Sequence, residues 1–387
     1  MTTHEVARLL EFHGRMLADA ARVDAFRRAL AAVIEPGAVV VDVGAGTGLL
    51  SVLACRAGAR RVYAIEQGPI FGFAREIIRA SGFGDRIVLV RGLSTEISLP
   101  EPADVLVTET IGVAGFDEGI LGSVLDARRR LLRPYAPPAA VLPRRIRLWA
   151  VPVTAPALHE QFVGRWREGL AGIDASPLRA WAAEHLHIVA ANPATFAAPP
   201  VEIVDVDLAM AQQVPVAGQG TFTVAGQALV HGFVLWFDAE LAEGIGICNA
   251  PAGIRSGPAG SSWRQAFVAV LEPIAVGTGA CLHLRLETDG DIWRWSGGLG
   301  AGGAGFDHST DFGAPIDRLA LEIRADDHRP QRSVRLEAAA AVLGRVDGQA
   351  TVSELDAAAR KAASRSFATE GASCRFVDDL LALVQDP

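Results

Sequence analysis

The sequence predicts an α/β doubly wound domain that runs on into an antiparallel β domain and ends in a helical tail. Three observations carry that reading. Between residues 36 and 143 short β-branched runs alternate with segments of helical period, the pattern of a parallel sheet covered on both faces. From Arg144 the texture changes to alternating segments such as RIRLWAVPV, VEIVDVDL, TFTVAGQALVHGFVLWF and CLHLRLETDGDIWRWS, which read as antiparallel strands of a barrel or sandwich. From residue 326 the chain is Ala-rich and helix-forming, with a turn at Val346-Asp347-Gly348.

Residues 1 to 35 carry apolar side chains at helical spacing (Val6, Leu9, Leu10, Met16, Leu17, Phe26, Leu30), and Pro36-Gly37 ends that pattern, so one or two helices open the chain. AVVVDV is a first strand, which turns through GAGTG into the helical LLSVLACRAGA. RVYAIE, RIVLVRG and ADVLVTE are further strands, with PIFGFAREIIRASG and GILGSVLDARRRLL as helices between and after them. The β domain is expected over residues 144 to 325, with a helical insertion at about 158 to 188. SGGLGAGGAG, residues 296 to 305, reads as a flexible patch after the strands.

Composition narrows the partners. Of 387 residues 50% are hydrophobic and 21% charged, enough for two or three domains with ordinary cores. A formal charge of -8 argues against a nucleic-acid surface, which needs a basic patch. The four cysteines, Cys55, Cys248, Cys281 and Cys374, form no CxxC pair, so neither a metal site nor a disulfide framework is expected. The opening MTTHEVARLLEFHGRML has no apolar signal core, and no run reaches the roughly eighteen apolar residues of a membrane span. The expected compartment is the cytoplasm.

Gly44, Gly46 and Gly48 follow a buried-type strand and open a helix, where backbone N–H groups and the helix dipole meet an electronegative ligand. The pattern is D-V-G-A-G-T-G, with Asp42 ahead of the first glycine, rather than the G-x-G-x-x-G of dinucleotide binders. Glu66 ends the next strand, placed to accept bonds from two ribose hydroxyls. The bland alternative is a tight strand–helix turn beside a solvated acid. On these residues alone the cofactor is S-adenosylmethionine or a nicotinamide dinucleotide.

The stretch TETIGVAGFDEGIL sets Glu109 and Glu118 in a Gly-rich, apolar loop, where a carboxylate needs a partner. A guanidinium is planar, permanently charged and suited to bidentate carboxylates. Two carboxylates offset the repulsion between such an acceptor and a cationic methyl donor, about 4 kcal/mol per unit-charge pair at about 4 Å and an effective dielectric near 20. They also align a nitrogen for in-line attack. Alternatively, Glu109 is a strand-end acid and Glu118 an N-terminal helix acid.

Taken in order, these segments resemble the protein arginine methyltransferase family. VVDVGAGTGLLSVLACRAGARRVYAIE is similar to the family's S-adenosylmethionine motif with its ribose-binding acid, and TETIGVAGFDEGIL to its double-glutamate loop. HGRMLADAAR resembles the cofactor-covering helix, which implies packing on the cofactor for Met16 and a grip on its carboxylate for Arg22. WREGLAGIDASPL resembles the arm through which family members dimerise, and HGFVLWFDAEL and SSWRQAF segments of the family's β-barrel. The resemblance spans roughly residues 11 to 280 and implies a Rossmann-like methyltransferase domain, a β-barrel with a dimerisation arm, and a helical C-terminal cap.

It also exposes departures. THEVA stands where the family has an aromatic Y-F-x-x-Y motif. Ser261-Ser262-Trp263 replaces Thr-His-Trp, so the histidine that would pair with Asp19 is absent; Asp19, Ser262 and Trp263 are the implied acceptor-side residues. Thr95, beside Glu96, occupies the place of the acid that would contact the adenine amino group.

The function implied is methyl transfer to a guanidino nitrogen of arginine in a protein, peptide or small metabolite, by a homodimer without nucleic-acid or membrane partners. The alternatives are methylation of a non-guanidine metabolite and a silent cofactor-binding scaffold. His13 could touch the cofactor, though an exposed helix histidine is the commoner case; His308 could approach the site but reads more simply as remote from it, and Cys55 as packing. The tail loosely resembles small modules that bind leader peptides, and a plain helical cap explains it more simply.

Overall fold

Five short strands of mostly β-branched residues build a parallel sheet: β1 (Val39–Val43), β2 (Arg61–Glu66), β3 (Ile87–Arg91), β4 (Val105–Thr108) and β5 (Val141–Leu142). The computed structural model describes residues 3–134, 140–254, 263–300, 305–313, 329, 334–363, 373–374, 376–378 and 380–381. Strand order is β3-β2-β1-β4-β5, with every neighbouring pair parallel. All of β1 and β4 is buried, which is why Val39–Val41 and Val105–Val107 read as consecutive apolar residues rather than alternating ones. Helices α3 (Leu49–Arg56), α4 (Phe71–Ala80) and α5 (Ile120–Arg130) connect or follow these strands. Each fully buried Val or Ile contributes about 1.5–3 kcal/mol of burial, so the carboxyl ends of the strands form a stiff platform.

The order reverses between β1 and β4, and a doubly wound sheet opens a crevice at that switch point. Gly44 follows β1, Glu66 ends β2 and Glu109 follows β4, so three separate motifs converge there. Two N-terminal helices, α1 (Thr3–Ala18) and α2 (Ala20–Val33), come before the sheet. Asp19 separates them as the N-cap of α2, its Oδ1 accepting the Arg22 N–H at 3.0 Å.

The remainder of the first compact unit, Met1–Pro315, is β-rich. A six-stranded antiparallel sheet contains β6 (Arg145–Val153), β7 (Leu186–Val189), β8 (Val201–Asp207), β10 (Ala228–Ala242), β11 (Ile245–Cys248) and β12 (Gln265–Val276), in the order β7-β12-β10-β6-β8 with β11 on β10. A four-stranded sheet orders β15 (Gly305–Ser309), β14 (Trp293–Leu299), β13 (Cys281–Thr288) and β9 (Val216–Thr223). The segment from 158 to 188 folds as α6 (Pro156–His159), a wide turn over Glu160–Gly164 and α7 (Pro177–Ala183) before joining β7.

The glycine patch differs from its expectation as a flexible segment. Gly297 and Gly298 are paired with Phe306 and Gly305 inside β14 and β15, and a Cβ at Gly297 would overlap the His283 carbonyl. Glycine there permits close strand approach, a use that composition cannot distinguish from flexibility. Residues 301–304 lie outside the described residues.

The second unit, Ile316–Pro387, includes the helices Val334–Leu343 and Val352–Ala362, of three turns or so each. They bury Ala338, Val342, Leu355 and Ala359 together. Asp347 Oδ1 accepts the N–H groups of Gln349 and Ala350 in the turn between them, and Thr351 with Glu354 closes a capping box on the second helix. No helix among the described residues is long and apolar enough to cross a membrane.

Candidate active site

A cavity of about 260 Å³ opens where β1, β2 and β4 end, with α1 along one side. Gly44, Gly46, Glu66, Glu109, Glu118, Met16 and Arg22 all line it. Asp42, Gly48, Thr95, Asp19 and Trp263 do not line it. Ser262 lies outside the described residues.

The glycine turn is shaped by local bonds. Gly44 and Ala45 both donate their N–H groups to the Ile65 carbonyl at 3.0 Å, which draws the turn across the end of β2. Gly44 has φ +70°, and a Cβ there would stand 2.6 Å from the Thr110 methyl, so both backbone and space demand glycine. Glu66 accepts from Gly46 N–H at 2.8 Å through Oε2 and from Gly68 N–H at 2.5 Å through Oε1. Its carboxylate is thereby fixed at the floor of the cavity. Asp42 supports the turn from behind: wholly buried, it accepts the Ser51 hydroxyl at 2.7 Å, and burial pushes its pKa up to about 7. Gly48 caps α3 and packs on Ile78.

His13 lines the cavity beside Gly46, on the cofactor-facing alternative of its sequence reading, and burial lowers its pKa against the opposing pull of Glu66. The helical period of α1 places His13 near Met16, a three-residue spacing that could have signalled a shared face. Thr95 sits exposed on the short helix Ser94–Glu96, while its neighbour Ser94 is buried and lines the cavity. A one-residue error in a tight turn moves the side chain to another face.

Across the cavity, Glu109 and Arg22 form a buried ion pair, Arg22 Nη2 donating to Glu109 Oε2. Arg22 Nη1 donates to the Met16 carbonyl at 3.0 Å, and its Nε is buried without a partner among the described residues. The guanidinium carbon lies 5.3 Å from the Trp263 ring, within cation–π range. Burial pushes the Glu109 carboxyl up to about 7, opposed by Arg22 and reinforced by Glu118 and Asp42. Glu118 is exposed overall, yet partial desolvation of its carboxyl raises its pKa, with Asp117 adding to the rise and Arg22 opposing it.

Trp263 does not wall the cavity. Its Nε1–H donates to the Ile111 carbonyl at 2.9 Å and its ring stands edge-on to Phe237, so it braces the glutamate loop from the β-rich side. Asn249, which carried no motif, does the same at Val113, its Nδ2 donating to that carbonyl at 2.8 Å. His308 is remote from the cavity; its Nδ1 lies 2.9 Å from Glu184 Oε1 and its ring stacks on Trp295. Cys55 is buried in the core. Among the described residues no group of three His, Cys, Asp or Glu side chains is arranged to hold a metal ion.

The residues present fit a ligand with a nucleoside at one end and an amino acid at the other. Glu66 offers two fixed acceptors at the β2 end, and Arg22 offers a buried guanidinium with an unused Nε–H at the α2 end. Fold and site together define a Rossmann-like α/β domain joined to a β-rich domain. Residues 145–291 match the family model described as arginine methyltransferase oligomerization subdomain, and residues 27–111 match the one described as ribosomal protein L11 methyltransferase (PrmA). An arginine N(omega)-methyltransferase from Streptomyces achromogenes subsp. streptozoticus is 32% identical over 282 residues, 71% of this chain and 75% of that protein. The chain belongs to the arginine N-methyltransferase family.

A probable protein arginine N-methyltransferase 6 from Arabidopsis thaliana is 31% identical over 250 residues, which cover 62% of this chain but only 56% of the relative. Among solved structures, the Trypanosoma brucei PRMT1 enzyme–prozyme heterotetrameric complex with AdoHcy superimposes with a TM-score of 0.65 at 23% identity, covering 78% of this chain and 97% of that one. Arabidopsis thaliana protein arginine methyltransferase 10 gives 0.62 at 22% identity, covering 77% and 97%. At these identities the two structures bear on fold alone.

Proposed function

We propose that this chain transfers a methyl group from S-adenosylmethionine to a guanidino nitrogen of arginine, carried by a protein, a peptide or a small metabolite. One observation supports this above the rest. Glu109 and Glu118 line the same cavity as Glu66 and Arg22, and Glu109 already holds a guanidinium, that of Arg22. When bound, the cofactor supplies an electrophilic methyl group on a sulfonium. Glu66 would hold its ribose hydroxyls, Arg22 its carboxylate, and Met16 and His13 would pack along it from α1.

Glu109 and Glu118 would grip the acceptor guanidinium and offset its repulsion from the sulfonium. Contact with two carboxylates localises positive charge away from the attacking nitrogen and fixes its approach. The proton released on methylation would pass to Glu118 or to water, and the raised pKa of Glu118 makes that carboxylate the better base. The test is methyl transfer from tritiated S-adenosylmethionine to free L-arginine and to an arginine-containing peptide. Glu109→Gln and Glu118→Gln should each lose about 10²-fold or more in turnover, with S-adenosylhomocysteine affinity within about threefold. Full activity in both variants sinks the clamp.

The finer architecture belongs to the same proposal. Its parts are helices at 1–35, a cofactor domain at 36–143, a β domain at 144–325 and a helical segment at 326–387. The two antiparallel sheets would close into a barrel through β8 and β9, where a Cβ at Gly218 would overlap the Ile203 carbonyl. The segment 158–188 would serve as a homodimerisation arm, and it exposes Leu170, Ile173 and Leu178. The helical tail would cap the fold, and the enzyme would work in the cytoplasm.

A further inference from the structure

The loop between Glu109 and Glu118 contains a third carboxylate that faces away from the cavity. Asp117 is largely buried, and both of its oxygens are used on the loop's own backbone: Oδ2 accepts Val113 N–H at 3.1 Å and Oδ1 accepts Ala114 N–H at 2.8 Å. The turn it fills is closed by Gly115 N–H donating to Gly112 O at 3.0 Å. A Cβ at Gly112 would collide with the Asp117 carboxyl group, and the three nearest atoms to that point all belong to Asp117. Gly112 is thus glycine for a steric reason that has a named partner.

From these contacts we infer that Asp117 is a positioning residue for the acceptor clamp: Gly112 and Asp117 form an internal latch that fixes the loop so that Glu118 faces the cavity. Asp117 and Glu118 are consecutive, so holding the first against the loop backbone sets where the second points. The outer side of the loop is held by other means. Asn249 donates to the Val113 carbonyl and Trp263 to the Ile111 carbonyl, and Asn249 is itself pinned by the Phe237 N–H at 2.7 Å and the Arg264 carbonyl at 2.6 Å. The latch supplies the inner contacts, on the N–H groups; the β-rich side supplies the outer ones, on the carbonyls. Buried charge-assisted bonds of this kind cost more to break than exposed ones.

The role assigned to Glu118 rests on the methyl-transfer reading, and the test separates the two. It uses the full-length protein, with Asp117→Ala, Asp117→Asn, Gly112→Ala and the Gly112→Ala/Asp117→Ala double variant. Amide hydrogen exchange at Val113 and Ala114 reads the latch directly. Turnover with free L-arginine and with an arginine-containing peptide reads the positioning.

Asp117→Ala is expected to lose protection at both amides and about 10²-fold in kcat, with S-adenosylhomocysteine affinity unchanged within about twofold. Asp117→Asn, which keeps one acceptor oxygen, should recover part of both. Gly112→Ala should match Asp117→Ala because it displaces the same carboxylate, and the double variant should be no worse than either single one. Retained protection in Asp117→Ala, or additive losses in the double variant, overturns the latch. Lost protection with wild-type kcat overturns the positioning role. A wild-type protein that methylates neither probe overturns the methyl-transfer reading, while the exchange data still decide the latch.

Discussion

The glycine turn at 44–48 and the glutamate loop at 109–118 meet in one cavity but are held in different ways. The turn is fixed by neighbours within its own sheet, through the Ile65 carbonyl and Glu66 of the adjacent strand. The loop is fixed by its own Asp117 and by Asn249 and Trp263, far along the chain in the β-rich part. The geometry of Glu66 and the glycine turn is therefore set within the parallel sheet, while Met16 and Arg22 reach the same cavity from α1 and α2. Acceptor-side geometry depends on the β-rich part having folded against the loop. Perturbations of the two regions should separate cleanly into cofactor affinity and turnover.

The largest expected separation is at Glu66. Glu66→Ala removes a carboxylate whose charged bonds to ribose are worth about 1.5–3 kcal/mol each, so S-adenosylhomocysteine affinity measured by calorimetry should fall at least about tenfold. Hydrogen-exchange protection at Val113 should not change, and a loss there would show that the two regions are coupled.

On the loop side, Asn249→Ala leaves the Val113 carbonyl and the Phe237 N–H buried without partners, at about 1–3 kcal/mol per unsatisfied group. A lower melting temperature and reduced kcat are expected, with cofactor affinity within about twofold. An equal loss of cofactor affinity would break the comparison.

The smallest effect is on pH. Glu109 must be ionised to bind a guanidinium, and its pKa stands near about 7, raised by burial. The acceptor kcat/KM should therefore fall as pH drops through about 7, as the carboxylate takes up its proton. The same raised pKa makes the folded state bind more protons than the unfolded one between the ordinary carboxylate range and about 7, so this group's contribution to stability declines as pH rises across that window. A flat acceptor profile between pH 6 and 8 would show that Arg22 keeps Glu109 ionised throughout.

This contrast also explains what the sequence could reveal. Gly44, Gly46 and Glu66 act through a contiguous strand–turn–helix–strand, so spacing alone located them. Glu109 and Glu118 stood out because carboxylates are unfavourable among Ile, Val and Phe. The parallel strands were legible from burial: β1 and β4 are buried along their whole length, so Val39–Val41 and Val105–Val107 read as consecutive apolar residues. Asn249 and the bracing role of Trp263 could not be read, since each acts on a carbonyl more than a hundred residues away and leaves no local pattern. Asp117 left no signal in the sequence, because it accepts from backbone N–H groups whose positions depend on the folded turn. At Thr95 spacing alone does not tell which way a side chain turns, and in the short helix Ser94–Glu96 it is Ser94 that faces the cavity.

The Arg22–Glu109 pair has a consequence for admission to the site. On the methyl-transfer reading, an acceptor guanidinium would meet a carboxylate whose Oε2 already carries Arg22, so the two cations would have to share Glu109 between its oxygens.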